Sequence, residues 1–236
     1  MAKRIELEKI VIDKGDEIAL ANRRKIEEAG VLALNLIGSP GCGKTTLLEH
    51  TIAALAGPTD GSPPLRIGVI EGDVQTTFDR DRIRRAGAPA AQIETEGACR
   101  LDAAMVSRAL TELDLDELDL LVIENVGNLI CPSEPKLGEH LKIAVLSTPE
   151  GDEKPAKYPG VFARADAAVF TKIDLLPHLN YDLDRAAGDC RKINSKIRVF
   201  PLSSITGEGM DDWTGYLRSA RAGLVVEHEG PSRPAS

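Results

Sequence analysis

Aromatic side chains are scarce in this sequence: Phe, Trp and Tyr together make up 3% of its 236 residues. With an ordinary hydrophobic share of 42%, the chain can still bury a full core, but an aliphatic one. Such a core suits buried parallel strands of Val, Ile and Leu. Long apolar runs are missing as well. None approaches the roughly 20 residues of a membrane span, so no membrane partner is expected. The opening Met1-Ala-Lys-Arg-Ile-Glu6 has no apolar stretch of a secretory signal, and a cytoplasmic location is expected. An excess of positive charge is also absent. The net charge of −8 argues against nucleic acid as a partner. Cysteine is limited to Cys42, Cys99, Cys131 and Cys190, expected reduced, as structural, metal-binding or reactive thiols.

What is present is a phosphate-binding loop. Gly38, Ser39, Pro40, Gly41, Cys42, Gly43, Lys44 and Thr45 fit G-x-x-x-x-G-K-[ST] without a mismatch. The apolar run 31–37 precedes them and the helix-forming run 46–55, starting at Thr46, follows. Strand, glycine loop and helix are the context the motif needs. Backbone N–H groups of such a loop turn inward around a β-phosphate, and the helix adds its positive end. Lys44 is expected on the β- and γ-phosphates and Thr45 on Mg²⁺.

Further along, apolar strands alternate with amphipathic helices, with strands over 66–70, 92–94, 118–123, 141–146, 167–170 and 197–200. This pattern predicts an α/β fold: a three-layer P-loop NTPase with a mostly parallel sheet flanked by helices. Residues 1–13 alternate apolar and polar, as a short edge strand or docking arm would, and 16–28 reads as a helix stopped at Gly30. The expected organisation is an N-terminal arm and helix over 1–30, a GTPase domain over 31–226 and a disordered tail over 227–236. Ligands of such a sheet bind at the carboxyl ends of its strands.

Three strand ends carry candidate chemistry. Thr171, Lys172 and Asp174 resemble the guanine-recognition motif [NT]-K-x-D. A carboxylate at Asp174 can accept from guanine N1–H and its exocyclic amine, a donor pair that adenine lacks. The loop with Ser203 and Ser204 resembles the one that closes over the base in GTPases. Asp73 and Glu124 end two other strands and are candidates for holding Mg²⁺, Asp73 also for activating water. Gly127 is expected to offer its N–H to the γ-phosphate.

Glu71-Gly-Asp-Val74, Gly97-Ala-Cys-Arg-Leu-Asp-Ala103, Glu124-Asn-Val-Gly-Asn-Leu-Ile-Cys-Pro132, the stretch 150–159 and Thr171-Lys-Ile-Asp-Leu-Leu-Pro177 follow in order. Together they resemble the HypB family of hydrogenase nickel-incorporation GTPases, over about residues 5–226. The resemblance implies a cytoplasmic, GTP-hydrolysing metallochaperone that dimerises with nucleotide. It implies a HypA-like zinc protein and the hydrogenase large subunit as partners. It also gives Cys99 and Cys131 a role as Ni²⁺ or Zn²⁺ ligands shared between subunits; thiolates suit both ions. Where the family pattern has His after the first cysteine, this chain has Arg100, which cannot ligate at neutral pH. His140 is then a candidate replacement ligand. The stretches rich in Cys or His of some relatives are absent, so nickel storage is not expected. Lys154 is expected to reach a partner's nucleotide in trans. The alternatives are a GTPase serving another metallocentre, such as urease, and a passive metal-binding scaffold with a vestigial nucleotide site.

Overall fold

The computed structural model describes residues 2–58, 61–73, 78–95 and 97–229. Seven strands form one sheet: β1 (Leu32–Gly38), β2 (Ile67–Asp73), β3 (Ala90–Glu94), β4 (Leu120–Glu124), β5 (Leu141–Ser147), β6 (Ala167–Thr171) and β7 (Arg198–Pro201). Their order is β3-β2-β4-β1-β5-β6-β7, and every pairing is parallel. The helices are α1 (Ala2–Glu28), α2 (Lys44–Leu55), α3 (Phe78–Arg85), α4 (Ala103–Ala109), α5 (Lys154–Lys157), α6 (Pro159–Arg164), α7 (Leu183–Ile193) and α8 (Met210–Glu229).

The aliphatic composition explains the layering. β1, β4 and β6 are buried along their whole length, as strands covered on both faces must be. Alternate residues serve opposite faces. Leu32, Leu34 and Leu36 pack with Leu47, Leu48 and Ile52 of α2 and Leu217 of α8. Ala33 faces Ile26 and Val106 on the other side, and Ile37 meets Phe162 there. Each fully buried Leu or Ile contributes about 1.5–3 kcal/mol. The single tryptophan, Trp213, is buried between α8 and α2. Its indole N–H donates to Thr51 Oγ1 at 3.0 Å, and its ring lies edge-on to Phe200, centroids 5.6 Å apart.

β1 sits between β4 and β5, so chain connections leave it in both directions. This switch point puts the loops after β1, β4 and β2 side by side at the carboxyl edge of the sheet. The N-terminal segment differs from the expected edge strand: it is helical from Ala2. Lys, Arg, Glu, Leu and Ala dominate it, all strong helix formers, and this outweighs the short alternation. The helix ends as expected, with Gly30 N–H donating to Glu27 O and Val31 N–H to Ile26 O. At the other terminus 227–229 belong to α8, and the remainder of the expected tail, 230–236, lies outside the described residues. No helix among the described residues is long and apolar enough to cross a membrane.

Candidate nucleotide site and thiol pair

The phosphate loop connects β1 to α2. Gly43 takes φ 92°, a left-handed conformation open to glycine, and aims the chain into α2. Lys44 is buried; its Nζ donates to Gly38 O at 3.3 Å and Ser39 O at 3.5 Å, curled over its own loop. A cleft of about 470 Å³ opens above it, bounded by Gly41, Thr45, Glu124, Gly127 and Lys172. Gly127 has to be glycine. A Cβ there would lie 2.9 Å from Pro40 Cγ and 3.0 Å from Pro40 Cα, so the two loops touch backbone to backbone.

Glu124 ends β4 beneath this cleft. Thr45 Oγ1 donates to its Oε1 at 2.9 Å, and Lys44 Nζ lies 4.0 Å from the same oxygen. Burial pushes its carboxyl up from 4.5 to about 7, in spite of Lys44 and the Thr45 hydroxyl. Its Oε2 is buried without a hydrogen-bond partner. An orphaned carboxylate oxygen beside a threonine hydroxyl and a phosphate loop is a donor set that fits a hard divalent cation such as Mg²⁺. Glu71 stands next to Glu124 in register across β2 and β4, buried and lining the same cleft. Asp73 is the last residue of β2; its side chain lies outside the described residues.

The Thr171–Asp174 segment, the expected base reader, is stapled to the phosphate loop. Thr171 Oγ1 donates to Cys42 O at 2.6 Å and Lys172 Nζ to Gly41 O at 2.8 Å. Lys172 carries φ 62°, the only described non-glycine residue with positive φ. A strained backbone of this kind persists where its surroundings hold it; here Thr148 Oγ1 donates to Lys172 O at 2.8 Å. Asp174 follows in a 3₁₀ turn, with Oδ1 buried and lacking a hydrogen-bond partner. Ser203 and Ser204 are buried in the adjoining loop; Ser203 Oγ accepts from Thr206 N–H, whereas Ser204 Oγ has no partner. Cys42 is buried within the phosphate loop, where desolvation raises its thiol to about 11 and keeps it protonated.

Cys99 and Cys131 come together. Cys99 is exposed and Cys131 half-buried, and the neighbouring Cys131 thiol, with desolvation, raises the Cys99 thiol. Arg100 donates from Nη1 to Cys131 O at 3.4 Å, so it braces the pair by its backbone. No third His, Cys, Asp or Glu joins them to form a metal-binding group among the described residues. His140 in particular is not brought to the thiols. Its Nδ1 accepts from Ala33 N–H at 2.9 Å and its Nε2 lies 3.7 Å from Glu27, at the opposite, amino edge of the strands. Lys154 is likewise outside the cleft; its Nζ lies 3.8 Å from Glu150 Oε2 and 5.3 Å from the Tyr158 ring centroid.

Comparison with known proteins agrees with this geometry. The CobW/HypB/UreG nucleotide-binding domain matches residues 32–201. The hydrogenase maturation factor HypB of Escherichia coli K12 is 45% identical over 217 residues, covering 92% of this chain and 73% of that protein. The chain belongs to the HypB family. Crystal structures of HypB superpose on it. That from Archaeoglobus fulgidus gives a TM-score of 0.81 at 35% identity, over 89% of this chain and 99% of the other. HypB from Helicobacter pylori, in complex with nickel, gives 0.82 at 37% identity, over 89% and 96%. The domain is thus a nucleotide-binding P-loop domain of a nucleotide-hydrolysing family.

Two cleft residues, Asp79 and Arg82, lie outside the motifs quoted from the sequence, and two further polar ones, Glu71 and Asn125, lie inside them without an assigned role. Arg82 of α3 donates to both oxygens of Glu49, at 3.1 and 2.6 Å, to Asp79 at 3.2 Å and to Thr46 Oγ1 at 3.2 Å. It ties α3 to the first turns of α2. Glu71 and Asn125 flank strand-end positions that had been assigned, Asp73 and Glu124. Both stand in stretches quoted for the family resemblance, which gave neither of them a role of its own.

Proposed function

We propose that this chain is a GTP-hydrolysing metallochaperone that assists nickel insertion into [NiFe]-hydrogenase. The observation that carries the reading is the placement of two neighbouring thiols on segments that adjoin the nucleotide cleft. Cys131 lies four residues after Gly127, and Cys99 sits on the segment joining β3 to α4. The reading is supported by the names of the relatives: the Escherichia coli protein is a hydrogenase maturation factor, and the Helicobacter pylori structure contains nickel.

In this reading the base is guanine. Asp174 accepts its N1–H and amine, filling the partner that its buried Oδ1 lacks. The uncurled Lys44 and the Gly127 N–H meet the β- and γ-phosphates. Thr45 and Glu124, with Asp73, hold Mg²⁺, which when bound offsets negative charge on the phosphates. Asp73 orients the attacking water. A second copy of the chain completes the cargo site, because two thiolates from each subunit make a four-ligand set for Ni²⁺ or Zn²⁺. Lys154 of each copy, released from Glu150, reaches the other copy's γ-phosphate. A HypA-like zinc protein and the hydrogenase large subunit are the partners, and the cytoplasm is the place of action.

The test is a metal titration of purified protein with GDP and with a non-hydrolysable GTP analogue, read alongside its mass in solution. Metal bound at one ion per dimer, with the dimer favoured by the analogue, supports the reading. Metal bound equally by a Cys131→Ala variant overturns the cargo site. For the base, Asp174→Asn replaces one acceptor by a donor that faces guanine N–H. Charge-assisted hydrogen bonds of about 1.5–3 kcal/mol each are lost, so GTP affinity falls about a hundredfold or more. Xanthosine triphosphate is then the better ligand. Hydrolysis of ATP by the wild type at the GTP rate refutes the guanine assignment.

A further inference from the structure

The two cysteine segments share both of their anchors. At the cleft end the anchor is Asn125, which follows Glu124 and is 2% exposed. Its Oδ1 accepts from Leu101 N–H at 3.1 Å and from Val126 N–H at 3.0 Å. Its Nδ2 donates to Asn35 Oδ1 of β1 at 3.2 Å, and Asn35 Nδ2 donates to Glu139 Oε1 at 3.4 Å. The amide can face only one way, because only its oxygen accepts from two backbone N–H groups. Leu101 lies two residues after Cys99; Val126 lies five before Cys131. Leu101 also covers Gly72 at the end of β2, so closely that a Cβ there would meet Leu101 Cδ1 at 2.8 Å.

At the far end the anchor is Asn22 of α1, also buried. Its Nδ2 donates to Ala103 O at 2.8 Å and to Leu137 O at 2.9 Å. Cys131 is therefore held between the two fixed points, at Val126 and Leu137, while Cys99 lies two residues before Leu101, just outside the pair of points on its own segment. A shift of the Val126–Gly127 backbone on triphosphate binding reaches the Cys99 segment through one side chain, while Asn22 keeps the outer ends still. The displacement then falls on Cys131 between its anchors and on Cys99 just beyond Leu101.

We propose that Asn125 is the positioning residue that couples nucleotide state to the Cys99–Cys131 pair. The inference rests on the reading above, in which the two thiols bind metal. It names a physical link, one side chain whose position both sites bias, where spatial closeness alone would be only an association.

The test measures the Zn²⁺ dissociation constant of the full chain by chelator competition, with GDP and with a non-hydrolysable GTP analogue. The readout is the ratio of the two constants. For the wild type the expected ratio departs from one by about fivefold or more. In Asn125→Ala it falls to within about twofold of one, because Leu101 and Val126 lose their common acceptor. Asn35→Ala, which touches neither cysteine segment, also lowers the ratio by removing the β1 acceptor that holds Asn125 Nδ2, and serves if the first variant does not fold. A variant that weakens Zn²⁺ equally in both states while keeping the wild-type ratio shows a merely structural residue and overturns the proposal. A wild-type ratio near one overturns the reading beneath it, and the proposal falls with it. The two failures are distinguished by the wild-type measurement alone.

Discussion

Replacing Glu124 by Gln should make the cation-free protein more stable and the loaded protein less so. Glu124 releases its proton near pH 4.5 when unfolded and near pH 7 when folded, because burial outweighs the favourable Lys44 and Thr45 contacts. Between those values the unfolded chain binds fewer protons than the folded chain, so stability falls as pH rises. The contribution is fully present below pH 4.5 and lost above pH 7. Moving the carboxyl from 4.5 to about 7 corresponds to about 3 kcal/mol at 1.36 kcal/mol per pH unit. The group is buried, so solvent screens little of this. Glu124→Gln removes the ionisation while keeping the shape, the acceptor for Thr45 and the packing. Urea unfolding without divalent cations, at pH 5 and at pH 8, provides the assay. The difference between variant and wild type should grow in the variant's favour by about 2–3 kcal/mol from the lower to the higher pH. Adding Mg²⁺ and nucleotide should reverse the ranking, since only the carboxylate gives the cation a charged ligand. A cation-free variant less stable than wild type at pH 8, with no change in the pH dependence, would refute the claim that this carboxylate is held against its preference.

Two further substitutions probe the loops. Gly127→Ala drives a methyl group into Pro40 at 2.9 Å and forces the two loops apart. An overpacking cost of about 1–3 kcal/mol predicts about ten- to a hundredfold weaker binding of a triphosphate analogue by calorimetry. GDP, lacking the γ-phosphate, should lose less; equal losses would show general loop damage. Arg100→His restores an imidazole beside Cys99. Zn²⁺ affinity by chelator competition should rise about tenfold or more, and an unchanged affinity would mean that the thiol pair uses another geometry.

Much of this architecture was legible because local pattern and tertiary role coincide. The run before Gly38, the loop itself and the helix after it are one continuous stretch, so motif and fold are read together. The same holds for Thr171, which ends β6, and for Lys172 and Asp174 directly after it. The N-terminal segment was misread because five or six alternating residues carry either period, and the strong helix formers between them settled the matter. His140 could not be excluded as a ligand from the sequence. Its distance from Cys131 along the chain is short, but the intervening loop runs to the other edge of the sheet, where Ala33 N–H claims its Nδ1. Arg82, and the role of Asn125 within the quoted stretch 124–132, were invisible for a related reason. Their importance lies in partners 33 and 24 residues away, Glu49 and Leu101, which only the strand order brings near.

Trp213 gives this chain a built-in optical probe. It is the one tryptophan in the sequence, so red-edge excitation selects a single fluorophore at a known place. The indole is clamped by Thr51 on the helix that starts at Lys44 and by Phe200 on the strand that leads to Ser203 and Ser204. The helix that follows the phosphate loop and the strand that leads to the proposed base loop thus both touch the same chromophore. Its emission spectrum and lifetime can follow nucleotide entry in the unlabelled protein.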